Sequence, residues 1–394
     1  MKKLLFVMNH LHCGGAEKAL ISLLQTIDYS SFEVDLLLFK KEGMFMNQLP
    51  SQVRLLESPS DYLIFDMPIR QAITSCLKRG KLKLAWARIR AGLIFKSEKN
   101  PARCEQLVWK HLSRAMPALP VRYDAAIGYL EKNPVYYCIE KVKAEKKLGF
   151  IHTEYSKLGM DPALDQKHFA QLDYIVTVSK SCGDVLKRSF PAFEKKIEIM
   201  HNIVSPSLVL QLSQKGNPYS HPYAGCRIVS MGRLHSLKGF DMAIEACRMM
   251  IDKGIPVQWY IIGEGEERER LKRSIEQHKL QEHFHLLGLQ ENPYPFIKHA
   301  DIYVQPSRFE GKSIAVDEAK ILAKPIVVTN FSTANDAVAS MVNGLIVDMN
   351  AAAIAAGIER LWNDPALRDR LIKRLELEEP GTEAEISALY RFIS

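Results

Sequence analysis

Ser307-Arg308-Phe309-Glu310-Gly311-Lys312-Ser313-Ile314-Ala315-Val316-Asp317-Glu318-Ala319-Lys320 is the stretch from which the fold can be read outward. It follows Ala300-Asp301-Ile302-Tyr303-Val304-Gln305-Pro306, a short apolar run closed by proline, which predicts a buried strand. Ser313 has the chemistry of a helix N-cap, and residues 315–322 continue at helical spacing. Glu310 therefore falls on a strand-to-helix loop, and Glu318 about a turn and a half into the helix. Bare amides at a helix start, together with the helix dipole, attract an anion. With Gly311, Lys312 and Ser313 at that start and two carboxylates beside it, the stretch suits a sugar nucleotide. Phosphates would meet amides and cations, and hydroxyls would meet carboxylates. The alternative is one loop acid and one helix-surface acid, because this glutamate spacing alone is a weak signal.

The turn at 231–241, Met231-Gly232-Arg233-Leu234-His235-Ser236-Leu237-Lys238-Gly239-Phe240-Asp241, has glycines flanking two cations between a strand and a helix. Doubly wound sheets bind phosphate at such a place. Arg233 can fork onto a phosphate, and Lys238 adds a point charge. Ile262-Gly263-Glu264-Gly265 closes another strand and either borders the nucleotide or is a plain tight turn. Near the start, an apolar run at 4–8 enters His12-Cys13-Gly14-Gly15-Ala16-Glu17, then a helical pattern at 19–27. Paired glycines let a backbone approach a ligand closely, but this is not the GxGxxG fingerprint of a nicotinamide enzyme. Further strands are expected at 33–39, 53–56, 124–128, 147–151, 173–178 and 197–200. A second series is expected at 227–231, 257–262, 283–287, 302–305, 325–329 and 345–347, again with helices between. His152 ends one strand at the edge where ligands bind, whereas His201 reads as a structural contact at a hinge.

At 394 residues the chain is long enough for two domains, and its 47% hydrophobic content is that of a soluble globular protein. Residues 205–225, rich in Pro, Ser and Gly, are expected to be the linker. The division is then 1–204, 226–379, and a terminal segment 380–394 with room to cross back to the first domain. Seven cysteines scattered singly, with no CxxC pair, argue against disulfides or zinc and for a reducing cytosol. The first apolar run is too short for a signal peptide, and no stretch has membrane length. The net charge of +8 predicts an anionic partner. An insertion at 70–114 concentrates it: twelve Lys and Arg against Glu98 and Glu105, threaded with Leu, Ile, Phe and Trp. A cationic amphipathic helix of that kind can lie on an anionic bilayer; the alternative is a solvated basic face. Nucleic acid is disfavoured, because the cations alternate with aliphatic rather than stacking aromatic residues.

Together these stretches resemble glycosyltransferase family four, retaining enzymes of the GT-B fold: α/β, with two doubly wound Rossmann-like domains facing a central cleft. The matching residues are Gly14-Gly15-Ala16-Glu17, Phe150-Ile151-His152, Gly232-Arg233-Leu234 with Lys238-Gly239, Gly263-Glu264-Gly265, and 307–319. The likeness runs along essentially the whole chain. It implies an N-terminal acceptor domain and a C-terminal nucleotide-sugar domain. It implies that Arg233 and Lys238 neutralise the donor diphosphate, Glu318 holds the ribose and Glu310 the transferred sugar. Gly15 would bring amides to the phosphates, and His152 would touch the sugar from the other domain. No metal and no cofactor are expected, and a glycan or lipid-linked acceptor is. Lys312, where many relatives are apolar, and Asn335-Asp336 depart from the pattern and leave the donor sugar open. The expected location is cytoplasmic, at the inner face of the membrane. Competing readings are an epimerase of the same fold and a non-catalytic nucleotide-sugar-binding partner of a glycosylation complex.

Overall fold

The computed structural model describes every residue except 13, 220, 379 and 380. The chain divides into two compact units. One comprises Met1–His12, Ala16–His201 and Glu385–Ser394; the other is Asn202–Ala384, with which residues 13–15 are grouped.

The first unit is built on seven strands: β1 Lys2–Met8, β2 Phe32–Leu38, β3 Arg54–Leu55, β4 Arg122–Gly128, β5 Lys143–Ile151, β6 Tyr174–Thr177 and β7 Ile197–Ile199. Their order in the sheet is β3-β2-β1-β4-β5-β6-β7. The second unit has six: β8 Cys226–Met231, β9 Val257–Ile262, β10 Phe284–Gly288, β11 Ile302–Gln305, β12 Ile326–Thr329 and β13 Leu345–Val347, ordered β10-β9-β8-β11-β12-β13. Every ladder between these strands is parallel. A parallel sheet is covered on both faces by its crossover helices, so its strands are apolar without alternation. Leu4 to Met8 in β1 and all four residues of β12 are buried accordingly. Each unit has its own core, around Phe39, Tyr136 and Phe169 in the first and Trp259, Phe284 and Leu361 in the second. This is the expected fold class, and each expected strand is present. In each sheet the order reverses direction once, between β1 and β4 and between β8 and β11. Ligands of doubly wound sheets bind outside the carboxyl ends of the strands at such a reversal.

Three sequence expectations need correction or refinement. Residues 205–225 are not a plain linker: Pro206–Ser213 is a helix of the second unit, packed on the helices Tyr294–Lys298 and Ile314–Ile321. Proline at its first position is compatible with a helix start, and Val209 and Ser213 are its buried residues. The boundary expected at 379/380 falls outside the described residues. The chain ends in a helix, Ile386–Ile393, that belongs to the first unit. Its Tyr390 stacks on Phe32 at 4.9 Å, and its Phe392 lies 5.0 Å from Tyr174. The basic insertion is three helices rather than one surface: Ile69–Lys78, Leu82–Ser97 and Pro101–Leu112. Val108 and Trp109 of the third face the core. Among the described residues, no helix is long and apolar enough to cross a membrane.

Candidate active site

In the second unit the turn after β8 and the loop after β11 lie on either side of the strand reversal. Both are held in place by glycines that no other residue can replace without a clash. Gly239 has φ 66°, and a Cβ there would sit 2.0 Å from the Pro306 carbonyl oxygen. Gly263 has φ 148°, and its Cβ would sit 2.0 Å from the Gly232 carbonyl oxygen. The first contact locks the β8 turn against the β11 loop, and the second locks it against the turn after β9. Gly263 and Gly265 thus have a packing reason that does not involve a ligand. Gly263→Ala is expected to cost about 1–3 kcal/mol, the strain of a forced backbone conformation. A lowered melting midpoint would register it, and an unchanged midpoint would contradict the close approach.

Glu310 sits in the locked loop and is only 6% exposed. Lys238 Nζ lies 2.7 Å from each of its carboxylate oxygens. Gln305 Nε2 donates to Oε1 at 3.0 Å and Ser307 Oγ at 2.6 Å. Gln305 is itself aimed by Tyr303, whose hydroxyl donates to Gln305 Oε1 at 2.6 Å. Burial raises the Tyr303 phenol well above its ordinary value, which keeps it a donor. The Glu310 carbonyl accepts from Thr333 Oγ1 at 3.0 Å. The loop is tied to the helix after the turn by Arg308, which donates to both oxygens of Asp241 at 2.7 Å.

Glu318, in the helix Ile314–Ile321, is 1% exposed and accepts from the Tyr294 hydroxyl at 2.9 Å. The surface-acid alternative is therefore excluded for both glutamates. Ser313 occupies the N-cap position, but its hydroxyl makes no capping bond. Lys312 is largely covered and lies 3.2 Å from Asp317, so this unusual cation is neutralised within the first turn. Arg233 is placed differently from Lys238: its side chain is 68% exposed and 3.3 Å from Glu266. The structure thus brings Lys238 to Glu310 and leaves Arg233 reaching outward from the same turn.

Gly14 and Gly15 stand where β1 gives way to the helix Gly15–Thr26. His152 follows β5, with its ring 4.8 Å from Tyr129 and 5.9 Å from Phe150. Its amide donates to Glu131 at 3.2 Å. Glu131 is buried at the end of β4, and desolvation pushes its carboxyl upward. His201 is a structural residue: its ring lies 3.1 Å from the Val178 carbonyl, and its amide donates to Glu385 at 3.0 Å. A cavity of about 240 Å³ opens near the ends of β1 and β2, lined by Asn9, His10, Asp66, Phe95, Glu105 and Asn133 among others. Carboxylates, amides and an aromatic face are the groups that hold sugar hydroxyls and ring faces. Sequence reasoning did not find Tyr294, Glu131 or this cavity. Among the described residues, no group of three or more His, Cys, Asp or Glu side chains is arranged to hold a metal ion.

The profile of the family described as "Glycosyl transferases group 1" matches residues 224–377, the span that carries the two turns, Glu310 and Glu318. An uncharacterized glycosyltransferase of Methanocaldococcus jannaschii is 28% identical over 185 residues, 45% of this chain. This chain spans less than half the length of that relative, 44%. A 4-alpha-N-acetylgalactosaminyltransferase of Campylobacter jejuni is 24% identical over 372 residues, 93% of this chain and 92% of its own. In fold the chain is similar to Anabaena HepE, solved in complex with UDP-glucose, which superposes with a TM-score of 0.67 at 15% identity, covering 99% of this chain and 98% of its own.

Proposed function

We propose that this chain is a glycosyltransferase of glycan or polysaccharide biosynthesis that moves a sugar from a nucleoside diphosphate, UDP first among them, to a glycan or lipid-linked acceptor. The observation that carries it is the buried Glu310 carboxylate, clamped by Lys238, Gln305 and Ser307 beside a glycine-locked turn at the strand reversal. The relatives supply the class: the Campylobacter relative is named a glycosyltransferase, and HepE was solved with UDP-glucose.

In this reading Lys238 and Arg233 neutralise the departing diphosphate, the work a metal does elsewhere. Both oxygens of Glu310 are already engaged, which suits holding the sugar rather than attacking it. The acceptor hydroxyl attacks the anomeric carbon on the face the diphosphate leaves, so configuration is retained. The bond to the acceptor oxygen forms as the bond to the phosphate oxygen breaks, and the acceptor proton passes to the departing phosphate. Glu318, with Tyr294 behind it, takes the ribose hydroxyls. Gly14 and Gly15 with the phosphates, and His152 with the sugar, keep the roles the resemblance implies.

A panel of nucleotide sugars in a thermal melt tests this directly. At a hundredfold excess over the dissociation constant, a donor should stabilise by about 2.7 kcal/mol. UDP-linked donors are expected to stabilise the chain and to release UDP slowly without acceptor, and EDTA is expected to leave that release unchanged. Stabilisation with no release by any donor would make the chain a binder, not a transferase. Loss of release in EDTA would overturn the metal-independent step.

A further inference from the structure

The helix Leu82–Ser97 is built inside out. A helix lying on a globular domain normally turns its large apolar side chains inward. Here the buried row is Ala85, Ala87, Arg88 and Ala91, with Leu84 its single large apolar member. The outward row is Leu82, Trp86, Ile89 and Leu93, spaced i, i+4, i+7 and i+11, and 64%, 54%, 38% and 57% exposed. Small inward residues let the helix sit close to its neighbours: a Cβ on Gly92 would lie 2.7 Å from Ile69 Cδ1. Arg88 fixes the rotation, donating from beneath the helix to the Ile64 and Met67 carbonyls at 3.2 and 2.8 Å. The helix is therefore anchored with its apolar row facing out. An exposed contiguous apolar row of this size marks an interaction surface.

Charge identifies what it meets. Residues 67–97 hold eight Lys and Arg and no acid, and the whole chain has a net charge of +8, so the rest of the chain is formally neutral. All eight except Arg88 are exposed. Arg90 lies over the Trp86 ring at 5.0 Å, so a cation and an aromatic body are presented together. A second copy of this chain would bring the same positive charge against itself, and a neutral apolar partner would give the cations nothing to meet. We infer that the outward face of this helix docks on an anionic lipid bilayer. Leu82, Trp86, Ile89 and Leu93 enter the boundary between headgroups and acyl chains, and the surrounding cations lie among the lipid phosphates. The inference narrows the surface from the whole basic insertion to one face of its middle helix, and it does not depend on the donor site.

The test is sedimentation of the full chain with vesicles of phosphatidylcholine alone and of phosphatidylcholine mixed with phosphatidylglycerol. Binding is expected only to the mixed vesicles, and it should weaken with salt. Leu82→Gln with Leu93→Gln should weaken it by about tenfold or more, since both side chains lose their place in the apolar layer. The tryptophan emission should shift to the blue on binding. In Trp86→Phe binding should persist and the shift should vanish, because Trp109 and Trp259 are already buried and the partly buried Trp362 belongs to the second unit. A cooperative melt with a midpoint close to wild type in the Leu82→Gln, Leu93→Gln variant shows that it is folded. Equal binding to both vesicle types, no binding, wild-type binding by the double variant, or a shift that survives Trp86→Phe would each overturn the inference. So would a concentration-dependent dimer that the double variant abolishes.

Discussion

Lys238→Met is expected to lower turnover by about two to three orders of magnitude, the range for losing one charge aimed at a developing anion. Its Nζ is 2.7 Å from both oxygens of Glu310, and its stem lies over Gly232, where a Cβ would be 3.4 Å from Lys238 Cδ. In the proposed reading the ammonium therefore meets the donor from a fixed position. Arg233 in the same turn is exposed and paired with Glu266, so its contribution depends on a donor to order it. Arg233→Lys is expected to keep part of the activity, because a point charge survives while the fork is lost. Among the described residues, removing Lys238 also leaves Glu310 with only the neutral donors Gln305 and Ser307. Breaking a buried pair costs about 3–5 kcal/mol, and Lys238 is a quarter exposed, so about 1–3 kcal/mol is the expected loss. The double variant Lys238→Met, Glu310→Gln separates the two effects. It should recover stability, because no buried charge is left unpaired, and recover no turnover. UDP release and thermal melts read the two quantities independently. Turnover within about threefold of wild type in Lys238→Met would remove Lys238 from the mechanism.

The strand layout was legible because parallel strands covered on both faces must be continuous apolar runs, as in Leu4 to Met8 and Ile326 to Thr329. The grouping of the candidate residues was legible because glycine, cation and carboxylate chemistry is concentrated at strand ends. What was hidden is pairing over distance. Lys238 and Glu310 are 72 residues apart, and Tyr294 and Glu318 are 24 apart, so no local spacing predicts either bond. Glu131 and Asp317 look like ordinary surface acids until the fold buries them. The helix Pro206–Ser213 was missed because proline and serine read as a linker, although proline at a helix start is favoured. In the basic insertion, composition gave the charge but not the rotation. Only the structure shows that Trp109 faces the core while Trp86 faces out.

Glu310→Gln and Glu318→Gln are expected to fail in different ways. Glutamine keeps the shape of each side chain and its place in the network, so folding should change little while the charge is lost. In the proposed reading Glu310 holds the transferred sugar, and free UDP carries no sugar. Glu310→Gln should therefore lower turnover by about two orders of magnitude and leave UDP affinity within about threefold. Glu318 is assigned the ribose, which donor and free UDP share. A hydrogen bond to a charged group is worth about 1.5–3 kcal/mol, so Glu318→Gln should weaken both ligands by about tenfold to a hundredfold. Tyr294→Phe supplies an internal check. It leaves the Glu318 charge in place and removes only the hydroxyl that aims it at 2.9 Å. Its UDP affinity should fall in the same direction as Glu318→Gln and by less, with turnover at saturating donor close to wild type. Calorimetric titration of UDP into the three variants decides between the roles. Lost UDP affinity in Glu310→Gln with retained affinity in Glu318→Gln would exchange the two assignments. Unchanged affinity and turnover in both would reduce this buried pair to a structural feature of the helix and its loop.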